Sequence, residues 1–452
     1  MRYGEYKILE MLWNKRIPQH WQTVPLCSIA TEKSICNCNE LPLLSVYLDN
    51  GVVPFEKMGT KRTNATSKDV SKYQRVDPGD FVLNNQQAWR GSVGVSDYTG
   101  IVSPAYVILS MDDTLNRRYA NYLMRSSFMI DQFYIVSKGV GSIQRNIYWP
   151  EFKRSIVPVP PREEQEQIVR YLDWKVSKIN KLIHGYQKQI KLLEEQKMTK
   201  IDRIVRTGLN PNVPMKDSGI EYLGNVPNHW TVLQNHRLFK SMNRKFEENE
   251  TVLSLSQKDG LIPYNQMTER SLHTASYDNW QLVMPNDLVL NRFKAHLGVF
   301  FASQYRGIST FHYGVYEPKM KIISKYYEAL YHTAVYRRVY AGQSKGMTVG
   351  LQNLSDIDYY TVYTLLPPYD EQQQIVDKIK CYEEEYLTVK NNIEHEIELL
   401  KEYRTRLISD VVTGQMDVRG IEVPDYIPEE DIDETVEENK DAEVDTDAES
   451  DQ

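Results

Sequence analysis

The sequence predicts an α+β chain built twice over: two duplicated β-rich domains separated by two long helices that pair as an antiparallel coiled coil, with pseudo-twofold symmetry. Three observations predict it. The 452-residue chain repeats itself at long range, each half opens on short β-prone runs between turn signals, and each half closes on a helical stretch with a narrow apolar seam.

The repeat comes first. Ile17-Pro18-Gln19-His20-Trp21 returns as Val226-Pro227-Asn228-His229-Trp230, and Gly51 and Pro54 return as Gly260 and Pro263, at an offset of 209. The offset then settles at 207. Pro78, Asp80, Leu83 and Asn84 match Pro285, Asp287, Leu290 and Asn291; Ser137-Lys138-Gly139 matches Ser344-Lys345-Gly346. Pro160-Pro161 with Glu164-Gln165 matches Pro367-Pro368 with Glu371-Gln372. Solenoid repeats run to roughly 20–50 residues, so a unit this long is a duplicated domain. Two similar, non-identical domains in fixed order suit the reading of two things at a set separation.

Within each half, Phe81-Val82-Leu83, Ile101-Val102 and Ala105–Leu109 read as strands, as do Leu288–Leu290 and Gly298–Phe301. Turns are expected at Asp49-Asn50-Gly51, Asp77-Pro78-Gly79-Asp80, Trp89-Arg90-Gly91, Lys258-Asp259-Gly260 and Met284-Pro285-Asn286-Asp287. Helical patches are expected around Tyr119–Met129 and Tyr326–Tyr340.

Pro160-Pro161-Arg162-Glu163-Glu164-Gln165 and Pro367-Pro368-Tyr369-Asp370-Glu371-Gln372 read as helix starts. Proline fits a first turn whose amides donate no intrahelical hydrogen bond, and acids favour the positive dipole end. Val176, Ile179, Ile183, Tyr186, Ile190 and Leu193 then fall at steps of three and four. So do Ile375, Ile379, Tyr382, Tyr386, Val389, Ile393, Ile397, Leu400, Tyr403 and Leu407. A stripe this narrow, flanked by charge, needs a partner helix, and two such helices are present. The second stops near Thr413-Gly414. The expected organisation is therefore a first domain over 1–159, a helix over 160–208, a second domain over 209–366, a helix over 367–420 and a tail over 421–452.

Charge divides unevenly. Residues 421–452 carry 15 acidic side chains and one lysine, which leaves residues 1–420 with a net charge of +7, 53 basic against 46 acidic. A mildly basic body is compatible with a nucleic-acid partner. The tail lacks the apolar content to order itself and is expected to be disordered; a role as a mimic of DNA charge is the speculative alternative. No run of 18 apolar residues suggests a membrane span, and no signal peptide opens the chain. Four cysteines without paired spacing point to a reducing compartment, most simply the cytoplasm; Cys36 and Cys38 sit too close for the usual zinc spacing.

No catalytic motif is found: no Gly-x-Ser-x-Gly, His-Glu-x-x-His, phosphate loop or dinucleotide fingerprint. Pro367-Pro368-Tyr369 is similar to the Asn-Pro-Pro-Tyr of adenine methyltransferases, but Leu366 stands where the amide belongs, and the first copy reads Val159-Pro160-Pro161-Arg162. The helix-start reading prevails. His20 and His229, each beside a tryptophan, suggest packing roles.

Over residues 1–420 the chain resembles the specificity subunit of type I restriction–modification enzymes. The residues that carry the resemblance are the Pro-Pro-x-x-Glu-Gln helix starts, the helix ending in Asp410-Val411-Val412-Thr413-Gly414, and the junction from Gly208-Leu209-Asn210-Pro211 through Met215–Gly224 to Pro227-Asn228-His229-Trp230. The resemblance implies a non-catalytic subunit in host defence, with two target-recognition domains that each read half of a split site in double-stranded DNA. It implies helices that act as a ruler and dock two methyltransferase (modification) subunits, which carry restriction (translocase) subunits. S-adenosylmethionine, ATP and Mg are then expected on the partners, with no metal, cofactor or membrane contact in this chain. The runner-up is a coiled-coil scaffold whose domains bind protein or carbohydrate.

DNA reading needs amides and guanidiniums that match base edges, and cations for phosphate. Asn84, Asn85, Gln86, Gln87, Trp89 and Arg90 supply these directly after a strand, and Asn291, Arg292, Lys294 and His296 form the matching but different stretch of the second copy. Lys138 and Lys345, in Ser-Lys-Gly turns, are candidate phosphate or base contacts, as is Arg145, opposite Gln352.

Overall fold

The computed structural model describes residues 2–9, 15–48, 50–57, 69–140, 144–246, 249–257, 260–267, 277, 279–345 and 352–427. The acidic tail beyond Ile427, expected to be disordered, lies outside the described residues. Parts of the expected turns at Asp49-Asn50-Gly51 and Lys258-Asp259-Gly260 do too. The chain divides into two compact units, Met1–Gln187 with Glu394–Gln452, and Lys188–Ile393. Each unit holds one copy of the repeat and half of each long helix.

The first unit is built on a four-stranded antiparallel sheet ordered Ala30–Lys33, Tyr106–Met111, Phe81–Asn84, Val93–Val95. The second unit repeats it as Phe239–Met242, Tyr313–Pro318, Leu288–Asn291, Phe300–Ala302. Phe81, Val82 and Leu83, and likewise Leu288, Val289 and Leu290, are wholly buried, which is why these short runs read as continuous apolar segments. The expected helical patches each break in two. Arg117–Met124 is followed by Ser127–Ile135, and Ser324–Tyr331 by Ala334–Gln343. The second unit has an aromatic core: Tyr316, Tyr326, Tyr327, Tyr331, Tyr336, Tyr340 and Tyr359 are all inside it.

The long helices span Arg162–Thr207 and Tyr369–Val412. In the first unit the Arg404 guanidinium donates to the buried Asn180 Oδ1 at 2.8 Å, and the Tyr171 hydroxyl reaches Met416 Sδ at 3.7 Å. In the second unit Lys197 lies 4.1 Å from the Tyr386 ring and Lys200 5.4 Å from the Tyr382 ring. In both units, residue numbers rise along one helix as they fall along the other, so the pairing is antiparallel. Ile179, Ile183, Ile375, Ile379, Ile393, Ile397 and Leu407 are buried on the expected seam. Two positions depart from it. Val389 and Tyr403 are exposed, and the neighbouring Lys390 and Arg404 are the more enclosed residues. A heptad can be divided four-then-three as readily as three-then-four, and the long stems of lysine and arginine can cover apolar surface.

Four contacts recur in both copies; the first three fasten each domain to the long helices, and the fourth lies within the domain. Glu164 accepts from Trp21 Nε1 at 3.1 Å and faces His20 Nε2 at 2.8 Å; Glu371 does the same with Trp230 at 2.9 Å and His229 at 2.8 Å. The Gln165 amide donates to the Pro160 carbonyl and accepts from Asn116 N, as Gln372 does with Pro367 and Ile323. The Tyr119 hydroxyl donates to the Val412 carbonyl at 3.1 Å, and its counterpart Tyr326 donates to Val205 at 2.8 Å. These are carbonyls of a helix end that the helix itself leaves unbonded. Finally, Lys138 pairs with Glu151 at 3.1 Å and Lys345 with Asp358 at 2.7 Å.

Gly208 and Gly414, the two helix stops, have φ of 77° and 70°. A Cβ on Gly208 would sit 3.4 Å from the Trp230 ring and collide with Glu371; one on Gly414 would sit 3.2 Å from Trp21 and collide with Pro18. Glycine is required there by both backbone hand and space.

Candidate nucleic-acid interface

In the first copy the loop after strand Phe81–Asn84 closes on itself. Asn84 Oδ1 accepts from Gln86 N at 3.1 Å, and a short 3₁₀ turn follows over Ala88–Arg90. Trp89 Nε1 donates to the Gln86 carbonyl at 3.0 Å, which fixes the indole at the surface. Arg90 lies over the Trp89 ring at 4.7 Å, and Trp89 stands 6.0 Å from Tyr134, a half-exposed residue of helix Ser127–Ile135. Arg145 also lies over Tyr134, 4.5 Å from the ring centre. The result is a ladder, Arg90–Trp89–Tyr134–Arg145, with a guanidinium at each end.

Arg145 belongs to the hairpin Ser137–Val140 and Gln144–Ile147, and its guanidinium donates to Ser137 Oγ and O, both at 2.9 Å. Asn85 Oδ1 receives the Ile147 amide at 2.9 Å and ties loop to hairpin. The structure thus brings Asn84, Gln86, Gln87, Trp89, Arg90, Lys138 and Arg145 onto one loop-and-hairpin surface. Lys138 is held by Glu151 and lies 3.9 Å from the Tyr148 ring, but its side chain keeps 60% exposure. Exposed ion pairs contribute little, so such a lysine can exchange its carboxylate for a phosphate. Tyr134 is not among the expected residues; it lies 44 residues beyond Arg90 in sequence, and only the fold brings it in.

The second copy uses the same frame differently. Asn291 Oδ1 accepts from Phe293 N at 3.1 Å, as Asn84 does from Gln86, and the Leu354 amide is bonded to the Arg292 carbonyl where Ile147 met Asn85. The Arg292 side chain does not mirror Arg90. It is half-buried and bonded to Asp356 at 2.5 Å, and Asp356 also accepts from Tyr316 and Ser241, each at 2.8 Å. Burial pushes the Asp356 carboxyl up, but the hydrogen bonds from Arg292, Tyr316 and Ser241 outweigh it and hold the group below the usual aspartate value. Arg292 is therefore already engaged within the domain. Lys294 and His296 are partly enclosed, and burial holds the His296 imidazole below its ordinary value. Lys345 is 78% exposed beside Asp358. The outward groups that sequence reading missed here are Phe293 and Phe311, both exposed and both packed on His312. Residues 346–351 of the second hairpin lie outside the described residues; Gln352 is partly enclosed.

Beside the first loop opens a cleft of about 1200 Å³, lined by Asn84, Gln87 and Arg90 and by residues of helix Arg117–Met124 and both long helices. Among the described residues no group of three or more His, Cys, Asp or Glu side chains is placed to hold a metal, and no helix is long and apolar enough to cross a membrane. Cys27, Cys36, Cys38 and Cys381 are free thiols.

Residues 18–192 match the family model of the Type I restriction modification DNA specificity domain. That match lies on the first copy and the start of the first long helix. The chain is also similar to the specificity subunit assigned to the type I restriction enzyme MjaX of Methanocaldococcus jannaschii, at 23% identity over 379 residues, 78% of this chain and 81% of the relative. The MjaVIII type I specificity subunit of the same organism is 27% identical over 252 residues, 51% of this chain and 52% of that one. Among solved structures, a chain from a type I restriction–modification system assembly superposes with a TM-score of 0.60 over 89% of this chain and 100% of its own, at 12% identity. That likeness shows the fold. The chain as a whole is a relative of the type I specificity subunits.

Proposed function

We infer that this chain is the non-catalytic DNA-recognition subunit of a type I restriction–modification complex and that its two domains read the two unlike halves of a split site. The observation that carries the reading is the contrast between frame and loops. Anchors recur residue for residue, from Glu164 and Glu371 to Tyr119 and Tyr326, whereas the outward surfaces diverge into an arginine–aromatic ladder in one copy and an exposed phenylalanine pair in the other. Equal scaffolds with unequal reading surfaces are what two different half-sites require. Guanidiniums presented on aromatic rings suit guanine edges, and aromatic faces suit thymine methyls and sugar.

On this reading two modification subunits dock on the paired helices and carry the restriction subunits, with S-adenosylmethionine, ATP and magnesium belonging to those partners. The chain acts in the cytoplasm, where the DNA is. The test is the methylated motif in genomic DNA from cells with and without this chain, its modification subunit present in both. A two-part motif that depends on the chain supports the reading. Methyl transfer by the purified chain alone, or an unchanged methylome, overturns it.

A further inference from the structure

Three aromatic rings stand exposed together on the second unit. Phe311 packs on His312 with ring centres 3.9 Å apart, and Phe293 meets the same imidazole at 5.9 Å. Phe311 is 55% exposed, Phe293 is 39% exposed, and His312 is exposed with them. The sheet sets their positions. Strands Leu288–Asn291 and Tyr313–Pro318 pair with Asn291 opposite Tyr313. The loop that carries Phe293 therefore leaves one strand where the turn that carries Phe311 and His312 enters its neighbour. Single exposed apolar residues are ordinary, but rings in mutual contact at the tips of two turns mark a contact surface.

Polar groups of the same loop are engaged or enclosed. Asn291 Oδ1 accepts from Phe293 N at 3.1 Å, and Arg292 is bonded to Asp356. His296 Nδ1 is enclosed with no hydrogen-bond partner among the described residues. What the loop offers outward is phenyl. In the major groove, base edges are told apart by donors, acceptors and one apolar group, the C5-methyl of thymine. Phenyl rings match only the methyl. 5-Methylcytosine carries the same methyl at the same ring position.

The patch belongs to one copy. An offset of 207 carries Phe293, Phe311 and His312 onto Gln86, Pro104 and Ala105. A protein partner that docks once on each half of a duplicated frame meets surfaces that repeat, and this one does not. It stands on the loop whose first-copy counterpart builds the arginine–aromatic ladder, where unlike half-sites would be told apart. An exposed cation is tied to the same loop. Lys345, 78% exposed, bridges Asn353, and the next residue, Leu354, donates its amide to the Arg292 carbonyl at 3.0 Å. An apolar patch served by a lysine suits a duplex, in which base edges lie between phosphates.

We propose that the patch formed by Phe293, His312 and Phe311 reads a pyrimidine of the second half-site by its 5-methyl group. The methyl packs on the phenyl rings and leaves water on binding; uracil and unmodified cytosine present only hydrogen there and gain nothing. His312, in contact with both phenyl rings, steadies the surface they form. The patch does not tell thymine from 5-methylcytosine. Cytosine methylation at the contacted position therefore changes the affinity of the second domain for DNA.

The proposal rests on the DNA-recognition reading, and one experiment separates the two. The full chain is assembled with its modification subunit and given duplexes of its methylated motif, each thymine replaced in turn by deoxyuridine, which removes the methyl alone. In one half-site a replacement should weaken binding about fourfold, the worth of one buried methyl. At that position a 5-methylcytosine–guanine pair should bind about fourfold better than cytosine–guanine. Phe293→Gln combined with Phe311→Ala, both at exposed positions, should abolish the two differences. Phe311→Leu, which keeps an apolar contact, should retain part of them and stands in if the double variant melts early. Motif-specific binding with no deoxyuridine effect, or an effect that survives the double substitution, overturns the methyl reading. So does a double variant that sheds the modification subunit while its remaining complex keeps the deoxyuridine effect, which assigns the patch to a protein contact. A parent complex that binds the motif no better than an unrelated duplex overturns the DNA-recognition reading instead.

Discussion

Glu164 and His20 face each other at 2.8 Å, and Glu371 and His229 repeat that distance in the second copy. The two pairs join the first turn of a long helix to the turn before a short strand, Gln22–Pro25 in one copy and Thr231–Gln234 in the other. Glu164 also accepts from Tyr3 and Trp21 and is 5% exposed, while Glu371, with Trp230, is 21% exposed. Removing a buried acceptor leaves its donors unpaired, at a cost of about 1–3 kcal/mol. Glu164→Ala should therefore lower thermal stability more than Glu371→Ala. Equal melting shifts, or none, would show that the clamp is not a stabilising contact.

The ladder gives a prediction about specificity. Arg90→Ala and Arg145→Ala should each relax base preference in one half of the methylated motif and leave the other half unchanged, with losses of about 1–3 kcal/mol if a guanine edge is read. Tyr134→Ala should do the same without removing any charge, since both guanidiniums lose a supporting ring. Arg292→Ala is expected to alter the other half-site and, unlike Arg90→Ala, to lower the melting temperature because it strips Asp356 of its cation. Motif profiling of the variants side by side checks this; identical losses from all four would mean the loops only hold the fold.

The two Ser-Lys-Gly lysines lead elsewhere. Each is exposed and paired with one carboxylate, a weak bond to give up. Lys138→Ala should weaken binding for all sequences alike and reduce the salt dependence by about one unit, the loss of one phosphate contact. Titrations at several salt concentrations decide; a sequence-selective loss would make Lys138 a base contact.

Acid should act on the second unit through His332. Burial, reinforced by Arg337, drives its imidazole down to about 4, and Nε2 is enclosed without a hydrogen-bond partner among the described residues. The folded state keeps the ring neutral while the unfolded chain protonates it below about 6.5, so the unfolded state binds more protons in that window. The associated stability is full above about 6.5 and is lost as pH falls toward 4, on the order of 2 kcal/mol given the ring's residual exposure. His332→Asn should flatten that part of a melting-versus-pH curve. A parent protein equally stable at pH 7 and pH 4.5 would contradict the assignment.

Much of this frame was legible in the sequence because its residues have one geometry to satisfy. In both copies of Pro-Pro-x-x-Glu-Gln the glutamate accepts from a tryptophan and the glutamine donates to a proline carbonyl. The antiparallel helices followed from seams that needed partners. What stayed hidden depends on distance through space. Tyr134 joins Trp89 only because its helix packs beside the loop, and Arg292 turns to an aspartate 64 positions later. The displaced seam at Val389 and Tyr403 was ambiguous in principle, because a period of 3.6 does not distinguish two ways of dividing seven.

The contacts of Gly414 have a topological consequence. Gly414 is pressed on Pro18 and Trp21, and the Gln415 amide donates to the Arg16 carbonyl at 2.5 Å, so the close of the second helix lies against the opening strands of the first copy. Gly208 is pressed on Trp230 in the same way, but there the peptide chain runs straight on through Met215–Asp217 into the second copy. One joint is covalent and its twin is only docked. Joining the docked ends with a short linker should therefore leave the Gly414 contacts of the first unit in place, because the linker would only make covalent what packing already holds.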